Sequence, residues 1–198
     1  MIFARAWLWL VVAALMFSVA TARDRFDDWI DATEIPLLAQ AYSTEVQDRS
    51  GVLLRAYTVA DGRWRLRTGL DAVDPGYIEM LIRYEDKRFW HHGGVDFLAM
   101  SRVFWLALRY QHFVSGGSTL SMQVARLIEE GPTGTVSGKF RQIRLALALE
   151  RQLSKEEILT LYLNRAPFGG NIEGVRAAAY AWFGKPARRL RLNIMSRS

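Results

Sequence analysis

Apolar and polar positions divide the chain into stretches of different period. From Ala6 to Ala22 no charge interrupts the apolar run, and Arg5 and Arg23 flank it. At helical rise the run spans about 26 Å, against a bilayer core of about 30 Å. It reads as a signal-anchor helix over residues 1–23. A cleaved signal peptide, with Ala20-Thr21-Ala22 as an A-x-A-like site, is the competing reading, and the length of the run weighs against it. Arg5 and the amino terminus stay in the cytoplasm, although Arg23 and Arg25 blur the asymmetry. The expectation is a single-pass protein of the inner (cytoplasmic) membrane with its remaining chain on the periplasmic side. Residues 24–42 are charged and predict a helical stem, with Pro36 arguing for a break.

Between residues 43 and 68 the period changes to two. Val46, the turn Asp48-Arg49-Ser50-Gly51, and Val52-Leu53-Leu54 predict strand, turn, strand. Asp61-Gly62 is a second turn signal, followed by Trp64 and Leu66 alternating with Arg63, Arg65 and Arg67. This predicts a small β-meander, read as a structural collar without chemistry. From Asp74 the period is helical. Asp74-Pro75 supplies an N-cap and a proline at the first helical position, and the helix runs through Ile78, Leu81, Ile82 and Tyr84 into Glu85. Phe97 to Val114 has little polar face, which fits a two-sided core helix or one resting a face on a bilayer. Arg102 and Arg109 argue against full burial. Residues 129–138 are polar and predict a loop. Helices follow over Lys139–Gln152, from the capping box Ser154-Lys155-Glu156-Glu157 to near Asn164, and over Glu173–Phe183, stopped by Gly184-Lys185-Pro186. The fold class is mainly α, with one domain over residues 43–187 and a divergent tail over 188–198.

Apolar residues make up 51% of the chain, enough for a core. A net charge of +6 favours an anionic partner. Nucleic acid is excluded by the export signal, leaving anionic lipid or a phosphate-bearing substrate. Cysteine is absent, which removes disulfides and Cys-based zinc sites. His91, His92 and His112 lack the partners of a tetrahedral site.

Two stretches concentrate chemistry. Glu85-Asp86-Lys87-Arg88-Phe89-Trp90-His91-His92-Gly93-Gly94-Val95-Asp96 reads as a helix ending in carboxylates, a glycine turn, and Asp96 capping the next helix. Gly116-Gly117-Ser118-Thr119-Leu120-Ser121-Met122-Gln123-Val124-Ala125-Arg126 reads as a glycine turn into a hydroxyl N-cap, with backbone N–H groups and Arg126 available to an anion. It is not a P-loop, because no Gly-Lys-Ser/Thr follows.

Together these stretches resemble the peptidoglycan glycosyltransferases, glycosyltransferase family 51. Glu85-Asp86-x-x-Phe89-x-x-His92-x-Gly94-x-Asp96 is similar to the family's first motif, and Gly116-Gly117-Ser118-Thr119-x-x-x-Gln123 to its second. Lys139, then Ala146-x-x-Leu149-Glu150, then Ser154-Lys155-x-Glu157-Ile158-Leu159-x-x-Tyr162-Leu163-Asn164 is similar to the third and fourth blocks. Phe168-Gly169, Gly174, Ala178-Ala179 and Trp182-Phe183-Gly184-Lys185 are similar to the next. Met122 and Asn164-Arg165-Ala166-Pro167-Phe168-Gly169-Gly170 look most like the 1C subclass of class A penicillin-binding proteins.

The resemblance implies a lysozyme-like, mainly helical domain beside a membrane. It implies polymerisation of lipid II, a disaccharide-pentapeptide on undecaprenyl pyrophosphate, into a nascent glycan strand, with cell-wall synthesis proteins as further partners. It implies Glu85 as general base for the acceptor's GlcNAc hydroxyl. Donor and pyrophosphate fall to Ser118, Thr119, Gln123, Arg126 and Lys139. Asp86, Phe89, His92, Gly94, Asp96, Gly117 and Glu150 complete the expected binding set. A divalent cation, magnesium or manganese, could join Glu85 or Asp86 to the pyrophosphate. The family's third motif is Arg-Lys-x-x-Glu, and here it reads Gly138-Lys139-x-x-Gln142. Gln142 thus stands at the second glutamate and cannot carry its charge. No Ser-x-x-Lys acylation motif occurs, so no transpeptidase domain is expected, and the divergent tail predicts a domain incomplete at its C-terminus. Two rival readings are a truncated, non-catalytic module that binds lipid II or partner proteins, and a lysozyme-like hydrolase with Glu85 as acid and Asp86 or Asp96 as second carboxylate.

Overall fold

The computed structural model describes residues 2–110, 117–129, 132 and 135–190, without the side chains of 2–6, 8, 104, 107 and 108. Gly116, His112, the last residues of the helix expected to reach Val114, most of the loop at 130–134 and the tail beyond Leu190 lie outside the described residues. Two compact units divide at Glu34–Ile35.

The first unit is a helix, α1 (Ile2–Asp31). Trp9, Leu10, Leu15, Met16, Phe17 and Val19 on it are exposed. Among the described residues no helix is long and apolar enough to cross a membrane. The expected anchor begins on Met1, outside the described residues, and on side chains not described. No break separates anchor from stem, since α1 runs on through Arg23 and Asp27, a 3.8 Å pair. The stem is helical only to Asp31, and residues 33–44 form no regular element. Pro36 fits that correction, lacking the N–H a helix needs.

The second unit is mainly helical. Burial of one short helix organises it. α4 (Leu120–Ile128) puts Leu120, Met122, Val124, Ala125 and Ile128 into the core. Around it stand Leu81 and Ile82 of α2 (Pro75–Glu85), Leu145, Ala146 and Leu149 of α5 (Val136–Gln152), and Ile158, Leu159 and Leu163 of α6 (Lys155–Arg165). Each large apolar side chain buried here contributes about 1.5–3 kcal/mol. Ser121 and Ala125 are small enough to be enclosed completely, which lets neighbouring helices close on α4.

The caps follow the sequence. Asp74 accepts from the Tyr77 N–H with Pro75 at the first turn, Asp96 accepts from the Ala99 N–H, and Thr119 from the Met122 N–H. Ser154 and Glu157 close a reciprocal capping box. One start differs from expectation. α5 begins at Val136, inside the stretch read as loop, because Thr135 caps the Gly138 N–H at 3.0 Å. The last helix, α7 (Val175–Phe183), starts later than expected and ends on Gly184 at φ 61°.

α3 (Phe97–Tyr110) is not buried on two sides. Leu98, Arg102, Trp105 and Arg109 share an exposed face, while Ala99, Met100, Val103 and Leu106 are half-buried. A two-sided core helix is therefore excluded.

The expected meander is also corrected. β1 (Glu45–Gln47) and β2 (Leu53–Ala56) form an antiparallel hairpin whose turn is held by the Asp48 carboxylate on the Ser50 and Val52 N–H groups. β3 (Trp64–Arg65) does not join it. It pairs in parallel with β4 (Ile172–Glu173), whose Glu173 is the expected start of the last helix. Alternation specifies which face a side chain takes, not which strand lies beside it.

Candidate active site

α2 delivers Glu85 from its last turn. Tyr77, Leu81 and Glu85 are spaced by four and so share one face. That face lines a cleft of about 320 Å³ together with Gln123, Arg126, Tyr162 and Phe168. Glu85 also borders a second cleft, of about 300 Å³, lined by Asp96, Arg102, Gly117, Ser118 and Thr119. Glu85 is half-buried where the two meet, and the Gln123 side-chain N–H donates to its Oε2 at 2.9 Å. One carboxylate oxygen is thus oriented by α4, while the other has no hydrogen bond among the described residues.

The rest of the 85–96 stretch braces this placement. Asp86 is buried, and both its oxygens accept from His92 Nε2, at 2.9 and 3.0 Å, while the Leu120 N–H donates to Oδ2 at 2.9 Å. The carboxylate therefore joins the end of α2 to the start of α4. Phe89 is fully enclosed, edge-on to Trp90 and His92. Gly94 has φ 96°, and a Cβ there would lie 2.8 Å from the Ala146 carbonyl oxygen; Thr119 Oγ1 donates to the Gly94 carbonyl at 2.6 Å. Lys155 Nζ donates to the His92 carbonyl at 2.6 Å, sits over the Phe89 ring and pairs with Glu150 at 2.7 Å. Ser121 donates to the same Glu150.

These contacts correct part of the expected binding set. Phe89, His92, Gly94 and Glu150 line neither cleft, because each side chain, or the space a side chain would need, is taken by a protein neighbour; Asp86 lines the first cleft with both oxygens already engaged. Gln142 is also buried, 4% exposed, and its Nε2 has no partner among the described residues. It lines neither cleft.

Of the expected residues, Glu85, Asp86, Asp96, Gly117, Ser118, Thr119, Gln123 and Arg126 line the clefts. Lys139, from the first turns of α5, donates from Nζ to Ser118 Oγ at 2.5 Å. Burial, and then Arg126, push the Lys139 ammonium below its ordinary value. The sequence reading missed Tyr77 and Tyr162. Burial, and then the Glu85 charge, push both phenols up, Tyr162 to about 12. Tyr77 was within reach of the four-residue spacing on α2; Tyr162 stands in the fourth block of the resemblance, but its place beside Glu85 comes only from the tertiary fold. A divalent cation held by Asp86 does not fit the donor set. Both oxygens are engaged, and among the described residues no three His, Asp or Glu side chains converge to hold a metal.

A carboxylate between two clefts, with cationic, hydroxyl and amide donors around it, can accept a proton beside a bound anion. The Transglycosylase family model matches residues 51–196, and the chain belongs to that family. It is similar to penicillin-binding protein 1C of Escherichia coli (strain K12), 44% identical over 185 residues, which are 92% of this chain and 23% of that protein. Penicillin-binding protein 1A of the same organism is 39% identical over 132 residues, 67% of this chain and 16% of that protein. Penicillin-binding protein 1A of Aquifex aeolicus (strain VF5) is 33% identical over 151 residues, 76% and 20%. The chain spans less than a quarter of the length of these relatives.

Proposed function

We propose that the chain is a peptidoglycan glycosyltransferase that polymerises lipid II and releases undecaprenyl pyrophosphate. The observation that carries this reading is Glu85 at the junction of two clefts, with Gln123 holding one oxygen. Glu85 accepts the proton of the acceptor hydroxyl as that oxygen attacks the anomeric carbon of the donor strand. The carbon–pyrophosphate bond breaks on the opposite face, with inversion. Charge developing on the leaving pyrophosphate is met by Lys139 and the Ser118 hydroxyl it contacts, with Arg102 on the same cleft. Gln123, Arg126 and the two phenols position the sugar side. Gln142 takes no part in proton transfer, being neutral and enclosed.

A hydrolase has less support. It needs a second free carboxylate at a set distance from Glu85. Asp86 is occupied by His92 and Leu120, and Asp96 by the cap of α3 and by Arg88 at 3.4 Å.

The membrane belongs to the same proposal. Residues 6–22 serve as the anchor, and the exposed Leu98–Trp105 face of α3 rests on the outer leaflet of the inner membrane, where lipid-linked substrate is reached sideways. Cell-wall synthesis proteins are the expected partners.

The test is lipid II polymerisation by this chain beside Glu85→Gln. Glycan strands from the parent, and a loss of about 100-fold or more in the variant, are expected. Equal products from both would remove Glu85 from the reaction. Lipid II binding without product in the parent would favour a non-catalytic module.

A further inference from the structure

The cleft beside Glu85 does not end at Arg126. Arg126, Leu127 and Pro167 also line a third cleft, of about 430 Å³, walled further by Gln40, Arg63, Arg65, Arg165 and Glu173. The first two clefts share Glu85, so the three adjoin in series through shared wall residues.

The Arg165 end has more positive charge than its carboxylates neutralise. Four guanidiniums face it: Arg63, Arg65, Arg126 and Arg165. Glu173 accepts from both Arg63 and Arg65, and Arg65 also reaches Asp61 at 2.7 Å. Counting both carboxylates, two positive charges remain. Arg126 is exposed. Arg165 is half-buried and donates to the Leu38 carbonyl at 2.7 Å, while its Nε has no partner among the described residues. Buried polar groups are nearly always matched, and a desolvated guanidinium calls for an anion. Burial pushes Arg165 below its ordinary value, and Arg65 adds to this against an opposing effect of Tyr42.

Which anion follows from position. The pyrophosphate is assigned to the Lys139–Ser118 contact, and neither of those residues lines the third cleft. An anion at the Arg165 end then belongs to the sugar-peptide side of the strand, whose charges are carboxylates. The planar guanidinium fork suits a carboxylate. We propose that Arg63, Arg165 and their neighbours form a carboxylate subsite for the peptide stems of the growing glycan strand. The inference rests on the glycosyl-transfer reading for the identity of the strand.

Binding is read first, because it needs no turnover. A peptidoglycan tetrasaccharide with uncross-linked stem peptides, either with free carboxylates or fully amidated, is titrated by calorimetry into the full chain in detergent. The free-carboxylate form is expected to bind about tenfold more tightly than the amidated one. Arg165→Gln should abolish that difference. Arg63→Gln, at an exposed position, is the second variant should the first unfold, and a thermal melt reports folding for both. Equal affinity of the parent for the two forms overturns the proposal. In polymerisation, both variants should give shorter strands from lipid II with free carboxylates while the rate of first coupling stays at the parent's. Unchanged strand length also overturns it. A parent that makes no polymer yet prefers the free-carboxylate form supports the subsite while removing the transferase reading.

Discussion

Glu85 is a single ionisable group set among others that respond to its charge. Tyr77 and Tyr162 line its cleft, and their phenols are held protonated by burial and then by Glu85. Tyr162 is raised from 10.0 to about 12. A folded-state pKa above the unfolded value means the folded chain binds the extra proton. Its contribution is therefore complete below about pH 10 and is lost as pH rises through about 12. The urea midpoint should fall across that window in the parent and fall less in Tyr162→Phe. Identical alkaline slopes would show that the phenol is not burdened in this way. Gln142 illustrates the opposite case. A polar side chain stands where the family pattern has an acid, and the fold encloses it, so the substitution changes charge at a place the clefts do not reach.

At the scale of elements, the turn between α2 and α3 is a brace. Asp86 ties it to the first N–H of α4, Thr119 ties Gly94 to the same helix, and Lys155 ties His92 to α6. Gly94 is the tightest point, with φ 96° and the Ala146 carbonyl against the place of a Cβ. Gly94→Ala should cost about 1–3 kcal/mol in chemical denaturation. It should also lower polymerisation more than the stability loss accounts for, because Glu85 hangs from this turn. Wild-type stability in that variant would mean the turn can shift freely. The caps and the helix faces were legible in the sequence, since each depends on residues within four positions of one another. The pairing of β3 with β4 was not, because the partners lie far apart in the chain and nothing in either marks the other.

For the whole molecule, the groove and the exposed face of α3 are the features a polymerase at a membrane would need. The chain contains no cysteine, so Trp105→Cys accepts a single spin label without background. In proteoliposomes, collisions with oxygen should exceed those with a water-soluble nickel complex if this face meets lipid. The reverse ratio would place Trp105 in water and sink the membrane contact. The arginine end of the groove is a whole-molecule feature of the same kind. Arg63 and Arg65 come from a segment that reads as a plain collar, and only the β3–β4 pairing carries them to Arg165 and Arg126.

The chain's own order of residues determined the mainly helical class, the capped starts of α2, α4 and α6, and Glu85 as the carboxylate to examine. Those depend on local spacing and on motifs whose members are close in sequence. Tertiary structure decided which motif residues face substrate space. Asp86, His92, Gly94 and Glu150 look as catalytic as Glu85 when written in a line, yet each is matched by a protein partner once the helices close around α4. A buried polar group must find a partner wherever the fold offers one. That requirement, which no local pattern encodes, separates the residues that brace the site from Glu85, the base proposed for its chemistry.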